Sequence, residues 1–130
     1  MYTKDFDNWN FLKQKINNEK SRPYFHEREI WFCTLGENVG FEQDGRGEEY
    51  LRPVVILRKF NNDVCLIIPL TKNQKKGVHY YSFSYKKDFI STAILSQIKL
   101  IDSKRLGYKS GDISESDFSS LKQKFIQLLV

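Results

Sequence analysis

A mostly β fold, a small, twisted, largely antiparallel barrel with flanking helices, is what this 130-residue sequence predicts. Three observations lead there. Short apolar runs rich in aromatic and β-branched residues recur between tight polar connections, the pattern of strands joined in sequence. Few segments place apolar residues at helical spacing. Ten Phe, seven Tyr and two Trp, in a chain that is 40% hydrophobic, suit pleated surfaces. The length is that of one domain able to bury a core without disulfides or metal.

The elements follow in order. DFDNWNFLKQKINNEK (5–20) sets Phe6, Trp9, Leu12 or Lys13, and Ile16 at helical spacing, which predicts a short amphipathic helix ending near Asn17 and Asn18. SRPYFHE (21–27) is then an extended connector, because Pro23 keeps Arg22 out of the helical region. Residues 1–27 are thus expected to form an N-terminal helical extension and connector, packed on a barrel domain of residues 28–130. REIWFCTL (28–35) is the first strand, and Gly36 opens a long polar loop, GENVGFEQDGRGEEY (36–50).

LRPVVILRKF (51–60) and VCLIIPL (64–70) flank the turn NND (61–63) and predict a hairpin, with Pro53 and Pro69 tolerated near strand ends. A hairpin centred on Asn62 sets residue 53 opposite residue 71. KNQKKG (72–77) is a connection, VHYYSFSY (78–85) a strand, and TAILSQIKLID (92–102) another, interrupted by Ser96 and Gln97. At the C-terminal end Ser114 and Asp117 make a capping-box-like pair, with Ile113 and Phe118 in staple positions. Phe118, Leu121, Phe125 and Leu128 then form one apolar helix face, to be packed on the sheet or across a subunit interface.

The formal charge of +5 favours a polyanionic partner, and its lysines are spread along the chain rather than gathered in a tail. Cys33 and Cys65 sit in apolar, strand-like runs without a neighbouring His or Cys, so buried reduced thiols are expected rather than a zinc site. There is no Walker loop, dinucleotide fingerprint, HExxH pair or metal-spaced carboxylate set, and His26 and His79 lie in different segments. No metal and no cofactor is therefore expected. MYTKDFDNWN is unlike a secretory signal and no apolar run reaches membrane-spanning length, which points to a cytoplasmic protein with no membrane partner.

VGFEQ (39–43), LRPVVIL (51–57), IIPLT (67–71) and ILSQIKLIDSKRL (94–106) occur in an order that resembles the MazF/PemK family of toxin endoribonucleases from bacterial toxin–antitoxin pairs. The resemblance covers roughly residues 28–129. It implies an SH3-like barrel of the MazF/PemK/CcdB type, a homodimer, and metal-independent, sequence-specific cleavage of single-stranded RNA, often mRNA. In such enzymes the 2′-hydroxyl attacks the scissile phosphate, leaving a cyclic or 3′-phosphate and a 5′-hydroxyl. The implied partner is a labile, acidic antitoxin of the MazE/PemI type.

Such chemistry places charge on nonbridging phosphate oxygens, so a fixed cation and a preorganised donor lower the barrier. Arg52, with a planar guanidinium aimed by Pro53, fits the first role, and Thr71, a rotamer-restricted hydroxyl, fits the second. By the resemblance, Gly40, Phe41, Glu42 and Gln43 of the long loop, with Ser96 and Gln97, are RNA-binding positions. Phe41, Gln97 and Tyr80 or Tyr81 are the side-chain types for stacking and base-edge hydrogen bonds. Taken alone, Arg52 reads as a strand-edge salt bridge and Thr71 as the start of a turn.

Two departures matter. DGRGEEYL (44–51) lengthens the run between Glu-Gln and Arg-Pro, and Ser96 stands where some relatives carry an acidic residue assigned as the base, with Ile94 in place of a nearby arginine. Ser96 is a poor base, which leaves Glu42, Glu48, Glu49 and His79 as candidates. Two other functions fit the architecture. One is a CcdB-like inhibitor of DNA gyrase, although FIQLLV lacks the Trp-Gly-Ile ending of those proteins; the other is a non-catalytic SH3-like nucleic-acid-binding module.

Overall fold

The computed structural model describes residues 3–130, and residues 1 and 2 of the predicted extension lie outside the described residues. Two helices, α1 (Phe6–Asn17) and α2 (Glu115–Gln127), flank β1 (Glu29–Thr34), β2 (Leu51–Lys59), β3 (Val64–Thr71), β4 (Tyr80–Lys86), β5 (Phe89–Ile94), β6 (Lys99–Asp102) and β7 (Leu106–Asp112). Every pairing is antiparallel, in the order β4-β5-β3-β2-β1-β7, with β6 also on β3. The ends of this path approach through side chains: Tyr85 Oη lies 3.0 Å from Ser110 Oγ, and the Tyr85 ring occupies the space above Gly111. No ladder joins β4 to β7 among the described residues, so the predicted barrel is realised as a seven-stranded antiparallel sheet whose end strands are bridged by side chains.

Near-continuous apolar runs in β2 and β3 arise because both faces of these strands are covered. Alternate residues feed two clusters. Val55, Leu57, Ile68 and Leu70 join Ile30, Phe83 and Leu95 beneath Ile113, Phe118 and Leu121, whereas Val54, Ile56, Cys65 and Ile67 join Phe25, Trp31, Cys33 and Ile101. The α2 face therefore packs on the sheet, with Phe125 and Leu128 at its margin, and each fully buried side chain there contributes about 1.5–3 kcal/mol. Ser114 caps α2 as predicted, its Oγ accepting from the Asp117 amide at 3.1 Å. Asp5 does the same for α1, accepting from Asn8 N at 3.1 Å.

Three elements differ from expectation. Residues 92–102 do not form one strand: β5 and β6 are separated by a 3-10 turn, Leu95–Gln97, at the polar pair, which lets β3 exchange one neighbour for the other. β7, with Gly107 and Gly111 and only Leu106 fully buried, lacks a strand-like apolar alternation, and its pairing with β1 shifts register twice. The hairpin also differs from one centred on Asn62. Lys59 and Arg58 pair with Cys65 and Leu66, but past Leu57 the partners become Ile56–Ile67, Val55–Ile68 and Val54–Pro69. One extra residue in β2 is a β-bulge, and continuing the new register brings Arg52, rather than Pro53, level with Thr71.

Cys33 and Cys65 are free and fully buried. Burial pushes their thiols up to about 12 and about 11, outweighing the nearby Arg105 and Lys59, so neither is a nucleophile at neutral pH. Among the described residues no helix is long and apolar enough to cross a membrane.

Glu29, buried at the start of β1, joins the connector to β7. Its Oε1 accepts from His26 N at 2.7 Å and Trp31 Nε1 at 3.0 Å, and its Oε2 lies 3.1 Å from Lys109 Nζ. Burial raises its pKa, but these donors and the lysine more than offset burial, leaving it below the ordinary value of 4.5. A depressed carboxylate contributes stability that is full above the unfolded value and is lost as pH falls through the lower folded value. In thermal melts between pH 7 and pH 3, Glu29→Gln is expected to lower neutral-pH stability by about 1 kcal/mol or more and to flatten the acid loss. An acid limb identical to that of the unsubstituted protein would contradict this role.

Candidate functional site

Arg52 lies opposite Cys33 of β1, and alternation directs it to the face of Val54 and Ile56. At the end of that apolar row the side chain turns under the loop of residues 36–50 and is only 8% exposed. Nε donates to the Asp44 carbonyl at 2.6 Å and Nη1 to the Leu70 carbonyl at 3.1 Å. The Gln43 amide, with its oxygen toward the guanidinium, accepts from Nη2 at 2.7 Å and Nε at 3.1 Å. Every acceptor is neutral, and no carboxylate contacts Arg52 among the described residues. Burial lowers its pKa and repulsion from Arg46 adds to this, with Asp44 opposing; an arginine still keeps its proton at neutral pH. A buried cation offset only by the longer-range charge of Asp44 is unfavourable. One N–H on each of Nη1 and Nη2 is not used by these acceptors.

Arg52 thus reaches the residue adjoining Thr71. The Thr71 Oγ1 accepts from Asn73 N at 3.2 Å in a local turn, which leaves its O–H free to donate. Thr71 borders a cleft of about 420 Å³ together with Phe32, Tyr85, Phe89, Lys72, Lys86 and Lys87. Three lysines and three aromatic rings around one hydroxyl suit the phosphates and bases of a single strand. Sequence reading missed this group as a group. Its signal is the interleaved YKKDF (85–89), which the β4–β5 hairpin folds back at Asp88, a non-glycine residue at φ +59°.

The loop over Arg52 is tightly laced. Its stem is closed by Leu35 N to Tyr50 O at 3.0 Å, Gly45 N to Gly36 O at 2.9 Å and a bridge between Arg46 and Leu51. Asn38 donates through Nδ2 to the carbonyls of Leu35 and Gln43, at 3.1 and 2.9 Å, and through its backbone to Asp44 Oδ1 at 2.6 Å. Gly40 takes φ +54° in the turn closed by Glu42 N to Val39 O, and Glu42 Oε1 accepts from Val39 N at 3.0 Å. Gln97 grips the loop twice, donating to Phe41 O at 3.0 Å and accepting from Gln43 N at 3.2 Å.

The sequence-predicted residues therefore fall into distinct places. Arg52, Gln43 and Gln97 form one connected network, and Gln43 and Gln97 border a smaller cleft of about 180 Å³ with Glu42 and Lys99. Phe41 is fully exposed at the loop tip beside Gly40, and Ser96 is exposed next to Gln97. Of the candidate bases, Glu42 borders that cleft, Glu48 and Glu49 are exposed on the far limb of the loop, and His79 is exposed ahead of β4. Tyr81 is partly buried and donates to Asp117 Oδ1 at 2.6 Å, which makes it a link between β4 and α2. Among the described residues, no three His, Cys, Asp or Glu side chains converge as metal ligands.

A sequence model of the PemK-like, MazF-like toxins of type II toxin–antitoxin systems matches residues 26–129. No curated protein matches significantly by sequence. Among solved structures, MazF from Deinococcus radiodurans superposes with a TM-score of 0.68 at 16% identity, covering 85% of this chain and 98% of that one. The Mycobacterium tuberculosis toxin MazF-mt6 gives 0.61 at 16% identity, with 78% and 96% covered. An endoribonuclease from a mycobacterial species, solved in complex with its cognate antitoxin, gives 0.61 at 10% identity, with 82% and 95% covered. At these identities the likeness is one of fold.

Proposed function

We propose, from the premise that the chain belongs to the PemK-like, MazF-like toxins of type II toxin–antitoxin systems, that it cleaves single-stranded RNA, mRNA included, at a preferred sequence and without a metal ion. The observation that carries this is the guanidinium of Arg52, buried among neutral acceptors one residue from the free hydroxyl of Thr71. The 2′-oxygen attacks phosphorus and the bond to the 5′-oxygen breaks, giving a 2′,3′-cyclic phosphate and a 5′-hydroxyl. Arg52 and Thr71 donate to the nonbridging oxygens as charge builds on them. The 2′-proton passes to a base, for which Glu42 is the candidate bordering the same cleft as Gln43 and Gln97, and the leaving 5′-oxygen takes its proton from solvent water. Lys72, Lys86 and Lys87 hold flanking phosphates, and Phe41 offers a stacking face for a base.

The same reading makes residues 1–27 an addition to a family domain of residues 28–130, working as a homodimer in the cytoplasm. An acidic, disordered antitoxin tail suits the lysine-lined cleft, so inhibition by occupancy of the RNA path follows. The test is cleavage of a long single-stranded RNA in excess chelator, with the product ends mapped. Cyclic or 3′-phosphate ends are expected, and Thr71→Val should slow cutting by about 100-fold at an unchanged melting temperature. Intact RNA with folded protein overturns the reading, and gyrase inhibition in its place would make the protein a binding toxin.

A further inference from the structure

The N-terminal extension lies almost wholly outside the family match, yet it contacts the loop over Arg52 at several points. Lys4 Nζ donates to the carbonyls of Asn38 and Gly40, the latter at 3.0 Å, and lies 3.1 Å from Asp44 Oδ2. All three of its protons are thereby used on one loop. The pair is sheltered, with the Lys4 side chain 20% and the Asp44 side chain 10% exposed, so it is not an ordinary surface ion pair.

Asp44 works in two directions. Its carboxylate takes Lys4 and the Asn38 amide, while its carbonyl takes Arg52 Nε at 2.6 Å. The helix behind Lys4 fixes the stem of the same loop. The Trp9 ring fills the space above Gly36, where an added Cβ would fall 2.1 Å from it, and packs 5.5 Å, centroid to centroid, from Tyr50 at the other end of the loop. Arg105 stacks on Trp9 at 5.6 Å and donates to Thr34 O at 3.0 Å, while Tyr50 Oη reaches Asp5 O at 3.4 Å. Tip, middle and both stems of the loop are thus tied to residues 4–9.

We propose that Lys4, backed by Trp9, is a positioning residue for RNA cleavage: it clasps the loop through Asp44 and so fixes the Arg52 guanidinium against the phosphate. This rests on the ribonuclease reading. The extension then acts as part of the machinery rather than as a passive flank. Lys4 does not touch the substrate; it acts through Asp44.

The test uses the full chain with Lys4→Met, Lys4→Arg, Asp44→Asn and the Lys4→Met/Asp44→Asn double variant. Each is followed by amide hydrogen exchange of residues 38–45 and by steady-state cleavage kinetics. Lys4→Met is expected to speed exchange across residues 38–45 and to lower kcat by about 10- to 100-fold with little change in KM. Lys4→Arg should restore most of the rate, and the double variant should cut no more slowly than the slower single one. Faster exchange with an unchanged kcat, or additive losses in the double variant, would overturn the positioning role. Unchanged exchange in Lys4→Met would overturn the clasp whether or not the unsubstituted protein cuts RNA, whereas failure of the unsubstituted protein to cut would count against the ribonuclease reading alone.

Discussion

Arg52→Lys is expected to reduce RNA cleavage by at least about 10²- to 10³-fold, the cost of losing one preorganised transition-state donor. The charge survives this change, so the loss isolates geometry. A guanidinium can bind the Asp44 and Leu70 carbonyls and the Gln43 amide while presenting an N–H from each terminal nitrogen to a phosphate. An ammonium has one nitrogen and three protons, so it either leaves backbone carbonyls unpaired or has nothing left for the substrate. Each buried carbonyl left without a donor costs about 1–3 kcal/mol, so a lower melting temperature accompanies the loss. Circular dichroism and a melt of the variant, with cleavage measured well below its transition, separate the two effects. An Arg52→Lys protein cutting within about threefold of the parent would remove Arg52 from the chemistry.

Gly45→Ala is expected to be damaging as well, although it changes no functional group. A Cβ at this position would fall 1.6 Å from the Tyr50 carbonyl oxygen and 2.1 Å from its carbon, both backbone atoms. Relief requires parting the loop stem where Arg46 and Leu51 exchange hydrogen bonds of 2.8 and 2.9 Å. Tyr50, held there at φ +54°, has little freedom to yield. The stability cost is about 1–3 kcal/mol, typical of overpacking, and it falls on the segment whose Asp44 carbonyl anchors Arg52. Cleavage should therefore fall by about tenfold or more even where the protein remains folded. Gly47→Ala supplies the comparison: its φ is +76° but nothing lies within 4 Å of an added Cβ, so backbone strain of about 1 kcal/mol is expected without loss of cutting. Equal activity of the two alanine variants would show that stem closure does not matter to the site.

These contrasts also explain what could be read from the chain. The β2–β3 hairpin, both helices, the Ser114 cap of α2 and the two buried thiols were legible because each depends on local spacing or on apolar runs. The nearness of Arg52 to Thr71 was legible as well, but for an incomplete reason. Nothing in Leu57 marks it as a bulge, since an apolar residue serves equally in or out of register. β7 was hidden because glycine, serine and lysine fill a strand that pairs through its backbone. Gln43 and Gln97 look like base readers by residue type, whereas in the structure their amides are engaged with the guanidinium and the loop. Lys4 was invisible for the same reason as β7, since two of its three acceptors are backbone carbonyls, a group every residue carries.

The bulge at Leu57 has an implication for how this sequence can vary. Strand side chains alternate between faces, so losing or gaining one residue between Arg-Pro and Pro-Leu-Thr would turn Arg52 away from the loop, or move Thr71 off its level, with every contributing amino acid still present. Substitutions in the NND turn preserve that arithmetic; insertions and deletions do not. The hairpin acts as a ruler, and the pairing of cation and hydroxyl is written in the number of residues between them as much as in which residues they are.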